Sequence, residues 1–352
     1  MKNPLYVLCA IASLAISSAW AAGPAAVATC GPELWSFQRN ILGQPDGFNK
    51  LSALAAGEYS QALDSLTKES SAEVKAWNGK LQKDLAARLP QARELQSVAL
   101  ADPTGFAAFR TFYHLYAAEQ VRLEGLFHKI SSEINTYSSQ EVLGSSYPDL
   151  HFLLTFDDGP TAATSTTDPV IAMLRAQGKV GTFFVLGESL QTRVKKDGVA
   201  GIQKLYAGMN VETHGMHHVS HAKDTAWLTS VTSGIHLVDS SLGRTSGPFL
   251  FRPPYGQRTQ DAAQVLQGQK GTIMLWNIDS QDWRKDINAD QAAGRAVLLM
   301  ALWRRGIVLF HDVHPKAVVA LPQVFEALKT TNIHWMQNAG DTAQPSTSSP
   351  RP

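Results

Sequence analysis

The chain has 352 residues, of which 44% are hydrophobic, so it is long enough for two domains or one large domain with a sizeable core. Its 31 basic and 30 acidic side chains give a formal net charge of +1. This balance argues against nucleic acid or an anionic membrane surface as the main partner.

The first two dozen residues have the pattern of a secretory signal peptide. Lys2 supplies a positive start, and the apolar run Leu5 to Ile16 is too short to span a bilayer. Ala19 and Ala21 offer small residues for cleavage, so we predict a signal peptide over 1–21, with a buried N-terminal helix as the alternative. No later segment has the pattern of a transmembrane span, and we expect an exported chain, periplasmic or secreted.

The segment from about Glu33 to Ser139 is predicted to be helical. Asp102 suits the N-cap of its last helix and Pro103 the first turn. Apolar residues then recur at three- and four-residue steps, namely Phe109, Phe112, Tyr116, Leu123, Phe127, Ile130 and Ile134. Since no metal or catalytic cluster is visible here, we predict an all-α N-terminal domain of unknown role over 22–147.

The pattern changes near Tyr147-Pro148, where short β-rich runs begin to alternate with helical stretches. Crossovers of this length indicate a parallel α/β arrangement, either a barrel or an open sheet. The candidate strands are Phe152 to Phe156, Gly181 to Leu186, Asn210 to Thr213, Phe249 to Arg252, Thr272 to Asn277 and Ile307 to Phe310. Residues 337–352 are polar and rich in Ser, Thr and Pro, which predicts a disordered tail.

Two adjacent carboxylates end the first candidate strand, in the segment Thr155-Phe-Asp-Asp-Gly-Pro160. Neighbouring side chains at a strand end point in different directions, so one of Asp157 and Asp158 can bind a metal while the other stays free as a base. The alternative is a solvated turn, since Asp-Asp-Gly-Pro is also good turn chemistry.

Four histidines follow the third candidate strand. His214 and His218 are four residues apart, and in a helical turn this spacing places both imidazoles on one side, as a single metal ion requires. His217 and His221 lie close by, so spacing alone leaves the pair open. Together with Asp158, two histidines would form a site that keeps positions open for water and substrate.

Three further polar segments also follow candidate strands. Arg252 to Gly256 brings an arginine, which favours the charged form of a neighbouring carboxylate. Asp279 to Trp283 brings carboxylates, and Ile307 to Asp312 delivers a histidine at a strand end. A salt bridge, a surface loop or a core histidine would explain each segment alone. Five such segments after candidate strands together predict an active site, because reactive groups collect at the carboxyl ends of parallel strands.

The order of these segments resembles the NodB-homology polysaccharide deacetylases, also called carbohydrate esterase family four. The resemblance covers about Leu150 to Trp335 and includes all five of the family's sequence motifs. It implies an irregular (β/α) barrel, placed over 148–336, whereas the helical half has no counterpart in the family's shared domain. One departure is Gly215, where the family usually has Ser or Thr, and this change is expected to loosen the loop that carries the histidines.

The resemblance also implies a role for each site residue. Asp157 becomes the catalytic base, and Asp158, His214 and His218 become ligands of Zn²⁺ or of another divalent metal such as Co²⁺ or Ni²⁺. His311 becomes the general acid.

The same resemblance assigns the supporting residues. Arg252 orients the base and Asp282 tunes the acid. Tyr255 offers its backbone N–H to the oxyanion, Trp283 walls the pocket, and Leu309 forms part of the acetyl pocket.

The expected activity is hydrolysis of N-acetyl groups on a GlcNAc-containing polysaccharide, such as peptidoglycan, an exopolysaccharide or a chitin-like polymer. One alternative is an O-acetyl esterase that acts on xylan-type glycans, because the same site can attack an ester. Another alternative is a catalytically silent glycan-binding or scaffold protein.

Overall fold

The structure is a computed structural model that describes residues 28–340. The predicted signal peptide over 1–21 lies outside the described residues, as do residues 341–352 of the predicted tail. Within the described range, no helix is both long enough and apolar enough to cross a membrane.

Helices precede the first strand, as predicted. They are α1 (Pro32–Leu42), α2 (Gly47–Leu66), α3 (Ala72–Leu85), α4 (Leu89–Glu94), α5 (Gln96–Ala99) and α6 (Pro103–Leu126). The side chain of Asp102 caps α6 by accepting a hydrogen bond from the Gly105 N–H, and Pro103 occupies its first turn.

The prediction that the helical pattern continues to Ser139 is wrong. Helix α6 ends at Leu126, because Phe127 turns to an extended conformation and His128 takes a φ of 68°. The apolar spacing of Phe127 and Ile130 therefore comes from an irregular segment that leads to the barrel.

Eight parallel strands follow within residues 28–340, which confirms the irregular (β/α) barrel with an all-α region before it. The strands are β1 (His151–Asp157), β2 (Thr182–Val185), β3 (Asn210–Thr213), β4 (Phe249–Phe251), β5 (Gly271–Ile273), β6 (Ile278–Asp279), β7 (Gly306–His311) and β8 (His334–Trp335). Their order is β5-β4-β3-β2-β1-β7-β6, with β8 pairing the start of β1. No pairing joins β5 to β6 among these strands, so the barrel is incomplete.

Helices connect the strands. They are α7 (Thr167–Ala176), α8 (Gly187–Tyr206), α9 (Trp227–Leu242), α10 (Ala262–Gln267), α11 (Ala289–Trp303) and α12 (Lys316–Leu328). The capping box of Asn288 and Gln291 starts α11, whose residues are buried from Ala292 to Leu302. A helix that is apolar all round must be covered on every side.

The N-terminal helices cover the outer side of α11. The Tyr113 hydroxyl donates to the Leu298 carbonyl at 2.8 Å, and Arg88 donates to the Leu302 carbonyl at 2.8 Å. Both sets of elements contribute to one continuous apolar core. The barrel and the helical region are therefore packed together through a shared core.

The parallel register brings the polar segments to one end of the barrel. Asp157 on β1 lies beside His311 on β7, and Thr213 on β3 lies beside Phe251 on β4. The residues that follow β1, β3, β4, β6 and β7 therefore share the carboxyl end of the sheet.

Candidate active site

The turn after β1 separates the two aspartates. Asp157 continues the strand, whereas Asp158 takes a φ of 80°, which aims its carboxylate in another direction. Gly159 follows, and its N–H donates to Oδ1 of Asp312 at 3.0 Å, while the Thr167 hydroxyl donates to Oδ2 at 2.7 Å. A Cβ on Gly159 would lie 2.1 Å from Asp312, so the close approach requires glycine.

Asp158 meets two histidines. Its Oδ1 lies 3.4 Å from Nε2 of His214 and 3.3 Å from Nε2 of His218. The three residues form a group whose ligand atoms all lie within 4.8 Å of one another. The expectation of a helical turn is wrong, because both histidines lie in the loop that follows β3. Their approach comes from the shape of this loop rather than from helical periodicity.

The chemistry of this donor set fits a divalent cation. Nδ1 of His214 lies 2.7 Å from the Arg252 carbonyl, so this nitrogen donates its proton there and Nε2 presents a lone pair to Asp158. Oδ1 of Asp158 is buried and has no hydrogen-bond partner among the described residues. Lone pairs that converge without a donor call for a positive charge between them.

The pKa shift of the second histidine agrees with this arrangement. Burial lowers the pKa of His218, which favours the neutral form that binds metals.

The other two histidines point away from Asp158. His217 is exposed and pairs with Glu188, its Nδ1 lying 2.9 Å from Oε2. His221 is buried against the ring of Phe251, and burial lowers the pKa of His221 to about 4.

Asp157 is held by a buried arginine. The Arg252 side chain is fully buried, and its Nη1 donates to Oδ1 of Asp157 and to the Thr155 hydroxyl, both at 2.8 Å. Its other donors reach the carbonyls of Met274 and Leu275. The second carboxylate oxygen, Oδ2, lies 3.9 Å from Nε2 of His214. One oxygen of Asp157 is therefore fixed, and the other borders the metal-type cluster.

His311 pairs with Asp282. Its Nδ1 lies 2.8 Å from Oδ1 of Asp282, and its backbone N–H donates to Oδ2 at 3.0 Å. Burial of the imidazole opposes its charge, but the charge and hydrogen bond of Asp282 outweigh this and raise the pKa of His311 to about 10. Lys316 donates to the Asp282 carbonyl and steadies the loop. The pair therefore holds an imidazolium at neutral pH.

The remaining predicted residues surround this cluster in different ways. Tyr255 is 56% exposed, with its ring centroid 4.4 Å from that of His218, and Trp283 is 47% exposed. Both rings are thus open to a ligand at the mouth of the barrel. Leu309 is buried inside the barrel with Leu153 and other apolar side chains.

Gly215 does not leave the histidine loop unsupported, contrary to expectation. Its N–H donates to the Thr213 hydroxyl at 3.0 Å, and the Met216 N–H donates to the Ser230 hydroxyl at 2.9 Å. Gly215 has a φ of 86°, and a Cβ there would lie 3.0 Å from the His221 ring and from Ser230. The loop conformation therefore requires glycine, and hydroxyls elsewhere supply the support.

Two buried polar groups near the site were missed by the sequence reasoning. Asp312 anchors the turn after Asp158, and burial raises the pKa of Asp312 to about 7. Arg258 forms a buried ion pair with Glu141, which precedes the barrel by several residues. The position of Asp312 directly after His311 was a visible signal for its role. No spacing in the sequence predicts the pairing of Arg258 with Glu141.

Comparisons with known proteins find relatives of the barrel region. Residues 145–271 match the family model described as polysaccharide deacetylase. A peptidoglycan-N-acetylglucosamine deacetylase from Bacillus cereus is 29% identical over 190 residues, which are 50% of this chain and 64% of that protein. A bifunctional xylanase/xylan deacetylase from Cellvibrio japonicus is 29% identical over 163 residues, 45% of this chain and 22% of that protein.

A solved structure of a peptidoglycan N-acetylglucosamine deacetylase aligns with a TM-score of 0.49 and 23% identity, covering 56% of this chain and 90% of that one. The chain spans less than two thirds of the length of the two relatives above.

The match over residues 145–271 confirms the resemblance to the polysaccharide deacetylase family that the five motifs indicated. The matched residues end at 271, so the segments that carry Asp282 and His311 lie beyond the match. The fold nevertheless brings both residues to the same end of the barrel as Asp157.

Proposed function

We propose that this chain is a metal-dependent hydrolase that removes N-acetyl groups from a GlcNAc-containing polysaccharide and releases acetate. The observation that carries the proposal is the convergence of three groups at one barrel end. These are the Asp158, His214 and His218 cluster, the carboxylate of Asp157, and the imidazolium of His311. The B. cereus relative, a peptidoglycan-N-acetylglucosamine deacetylase by name, supports the choice of substrate class.

Asp158, His214 and His218 would hold the metal, which we propose to be zinc or another divalent ion such as cobalt or nickel. When bound, such an ion supplies a nucleophilic water at neutral pH and polarises the acetamide carbonyl. The protein keeps the ligand nitrogen of His214 unprotonated through its bond to the Arg252 carbonyl.

Asp157 acts as the base. Its Oδ2 borders the metal cluster and accepts the proton of the attacking water, while Arg252 fixes Oδ1. The water oxygen bonds to the acetamide carbon, and the backbone N–H of Tyr255 stabilises the oxyanion. A contact of this type lowers the barrier by about 3 kcal/mol.

His311 acts as the acid. Its Nδ1–H is committed to Asp282, so the proton on Nε2 is the one that passes to the sugar nitrogen as the C–N bond breaks. The products are acetate and a free amino sugar. Asp282 maintains the charge of His311 between turnovers.

The exposed rings of Tyr255 and Trp283 provide apolar faces for a sugar. We propose that the partner is an N-acetylated glycan outside the cytoplasm, in the periplasm or secreted. The apolar run Leu5 to Ile16 supports export.

An O-acetyl esterase activity is the second candidate. The C. japonicus relative, a xylan deacetylase by name, favours it. The strongly raised pKa of His311 favours the amide, because a sugar nitrogen leaves only after protonation.

Acetate release tests the proposal. The chain should release acetate from GlcNAc oligomers or peptidoglycan, lose this activity with a chelator and regain it with zinc. Acetylxylan, run in parallel, should be the poorer substrate. No release from any N-acetylated glycan with zinc, cobalt or nickel supplied would overturn the proposal.

Wild type and Asp157→Asn, assayed side by side, separate an enzyme from a silent glycan-binding protein. An enzyme should lose acetate release while glycan binding remains. A scaffold would show no acetate release in either form.

A further inference from the structure

Arg258 is a buried arginine whose guanidinium uses all its donor groups. It lies three residues after Tyr255 and is 2% exposed. Nε and Nη2 donate to the two carboxylate oxygens of Glu141 at 2.5 and 2.8 Å. The remaining N–H groups donate to the carbonyls of Gly256, Ser132 and Asn135 at 2.8, 2.8 and 3.0 Å. Such a fork fixes the backbone segments that it joins.

The main chain of Arg258 is tied to the same segment. Its N–H donates to the Ser131 hydroxyl at 2.7 Å, and that hydroxyl donates to the Arg258 carbonyl. Gly256 also packs closely here, since a Cβ on it would lie 3.3 Å from Cβ of Glu133. Residues 131–141, which precede the barrel, thus hold the loop that follows β4. We call this set of contacts the clasp.

Aromatic rings back the guanidinium. Tyr137 lies beneath it at 4.7 Å from Cζ, Phe127 stacks on Tyr137 with centroids 5.2 Å apart, and His128 lies on Phe127 at 4.2 Å. The ring faces that meet in this column cover one another. This column therefore supports Arg258 rather than offering a free surface to a sugar.

The clasp lies next to an unusual turn. Tyr255 and Gly256 have φ angles of 60° and 67°, and the first is a conformation that a tyrosine rarely adopts. Backbone of this kind persists only where the surroundings enforce it. The Gly256 carbonyl accepts from Arg258, so the same guanidinium that binds Glu141 also holds this turn.

We propose that Arg258 is a positioning residue, through which residues 131–141 hold the Tyr255 turn in the shape that the deacetylation site needs. The inference rests on the proposed function, in which the Tyr255 N–H faces the oxyanion. It makes the segment between the helices and the barrel a working part of the site.

The test removes the charge pair together, because either partner alone would be left as an unpaired buried charge. The variant is Arg258→Met with Glu141→Leu. The matched control is Arg304→Met. Arg304 also joins the regions, donating to Asp149 and Asn49, but it lies before β7, at the opposite end of the barrel.

Two readouts are measured on the full chain. In the double variant kcat should fall at least tenfold, while KM and the Kd for zinc change less than threefold. Hydrogen exchange at the amides of Gly256, Gln257 and Arg258, which all donate hydrogen bonds, should speed up at least tenfold. Arg304→Met should leave both kcat and this exchange within twofold.

If the double variant does not fold, Ser131→Ala replaces it, with an expected threefold change in both readouts. Unchanged kcat would overturn the inference, whether or not the exchange changes. A wild-type chain that releases no acetate would sink the proposed function instead. In that case, faster exchange in the variant would still establish the clasp, and unchanged exchange would refute it.

Discussion

Adjacent aspartates meet different partners at the end of β1. Asp157 completes the strand and faces Arg252 inside the barrel. Asp158 has a positive φ, which directs its own carboxylate to His214 and His218. One carboxylate thus has a fixed cation as its neighbour, and the other has imidazole lone pairs. A base and a ligand can therefore arise from identical side chains, because the neighbours differ.

Asp282→Asn should make the activity more sensitive to alkali. Asp282 raises the pKa of His311, so removing its charge lowers that pKa, and the imidazolium is lost at lower pH. The alkaline limb of the kcat/KM profile should move down by at least about one pH unit. Asp286→Asn, which changes an exposed carboxylate paired with Arg284 in the same segment, is the control and should not move it.

An alkaline limb that stays in place in Asp282→Asn would mean that His311 is not the acid.

The raised pKa of His311 also has a consequence for folding stability. Because the folded pKa lies above the ordinary value of 6.5, His311 contributes stability that is complete below that value. This contribution disappears as the pH rises through about 10.

At the scale of elements, the loop after β3 is the part of the site most dependent on backbone shape. It carries both histidines without helical hydrogen bonding, and Thr213 and Ser230 hold it through their hydroxyls. Gly187 and Glu188 at the start of α8 donate to its carbonyls at 2.9 and 3.0 Å. The loop is thus held from three sides.

Gly215→Ser, which restores the residue usual in the family, should weaken this loop rather than strengthen it. The positive φ costs about 1–3 kcal/mol for a non-glycine residue, and the new Cβ would press on His221 and Ser230. We expect zinc affinity, measured by titration, to fall about tenfold.

Gly178→Ser is the matched control for that change. Gly178 has a φ of 62° with no atom within 4 Å of its Cβ position, and it follows α7, away from the histidines. It should lower the melting temperature and leave zinc affinity unchanged. Equal zinc affinities in wild type and Gly215→Ser would contradict the account of the loop.

The sequence predicted strands well where apolar runs were short and bounded. The range Asn210 to Thr213 matches β3, and each reactive segment does follow a strand. Periodicity failed at Phe127, because its apolar neighbours pack in a turn rather than on a helix face. Helical spacing also suggested a helix for His214 and His218, where the structure has a loop.

Contacts distant in the chain could not be predicted. Arg258 and Glu141 are separated by 117 positions, and only the folded chain brings them together. The histidine pair needed the family resemblance, since spacing alone did not exclude His217 or His221. The buried partner of a charge is decided by tertiary packing, which single-sequence patterns do not encode.

At the scale of the whole molecule, the helical region and the barrel share one core. Helix α11 is buried along its length, with α1 and α2 on one side and the barrel on the other. Arg295 within it donates to the Ala28 carbonyl at 2.7 Å. The separate N-terminal domain over 22–147 remains a prediction, and this packing makes it testable.

A chain that begins at residue 127 should not fold on its own. Removing α1 to α6 would expose the apolar outer face of α11 to water, at a cost of about 25 cal/mol per Å² of apolar surface. We expect aggregation in gel filtration and no cooperative thermal transition by circular dichroism. A soluble, cooperatively unfolding fragment would show instead that the barrel is an independent domain.

The division of labour between Asp157 and Asp158 is tested most directly by measuring zinc binding and acetate release together in Asp157→Asn. We expect one zinc per chain with wild-type affinity, and acetate release from a GlcNAc oligomer reduced by about 10²–10⁴-fold, the usual contribution of a general base. Asp158→Asn should lose zinc affinity as well as activity. An Asp157→Asn chain that lost its zinc, or that released acetate at the wild-type rate, would contradict the central claim.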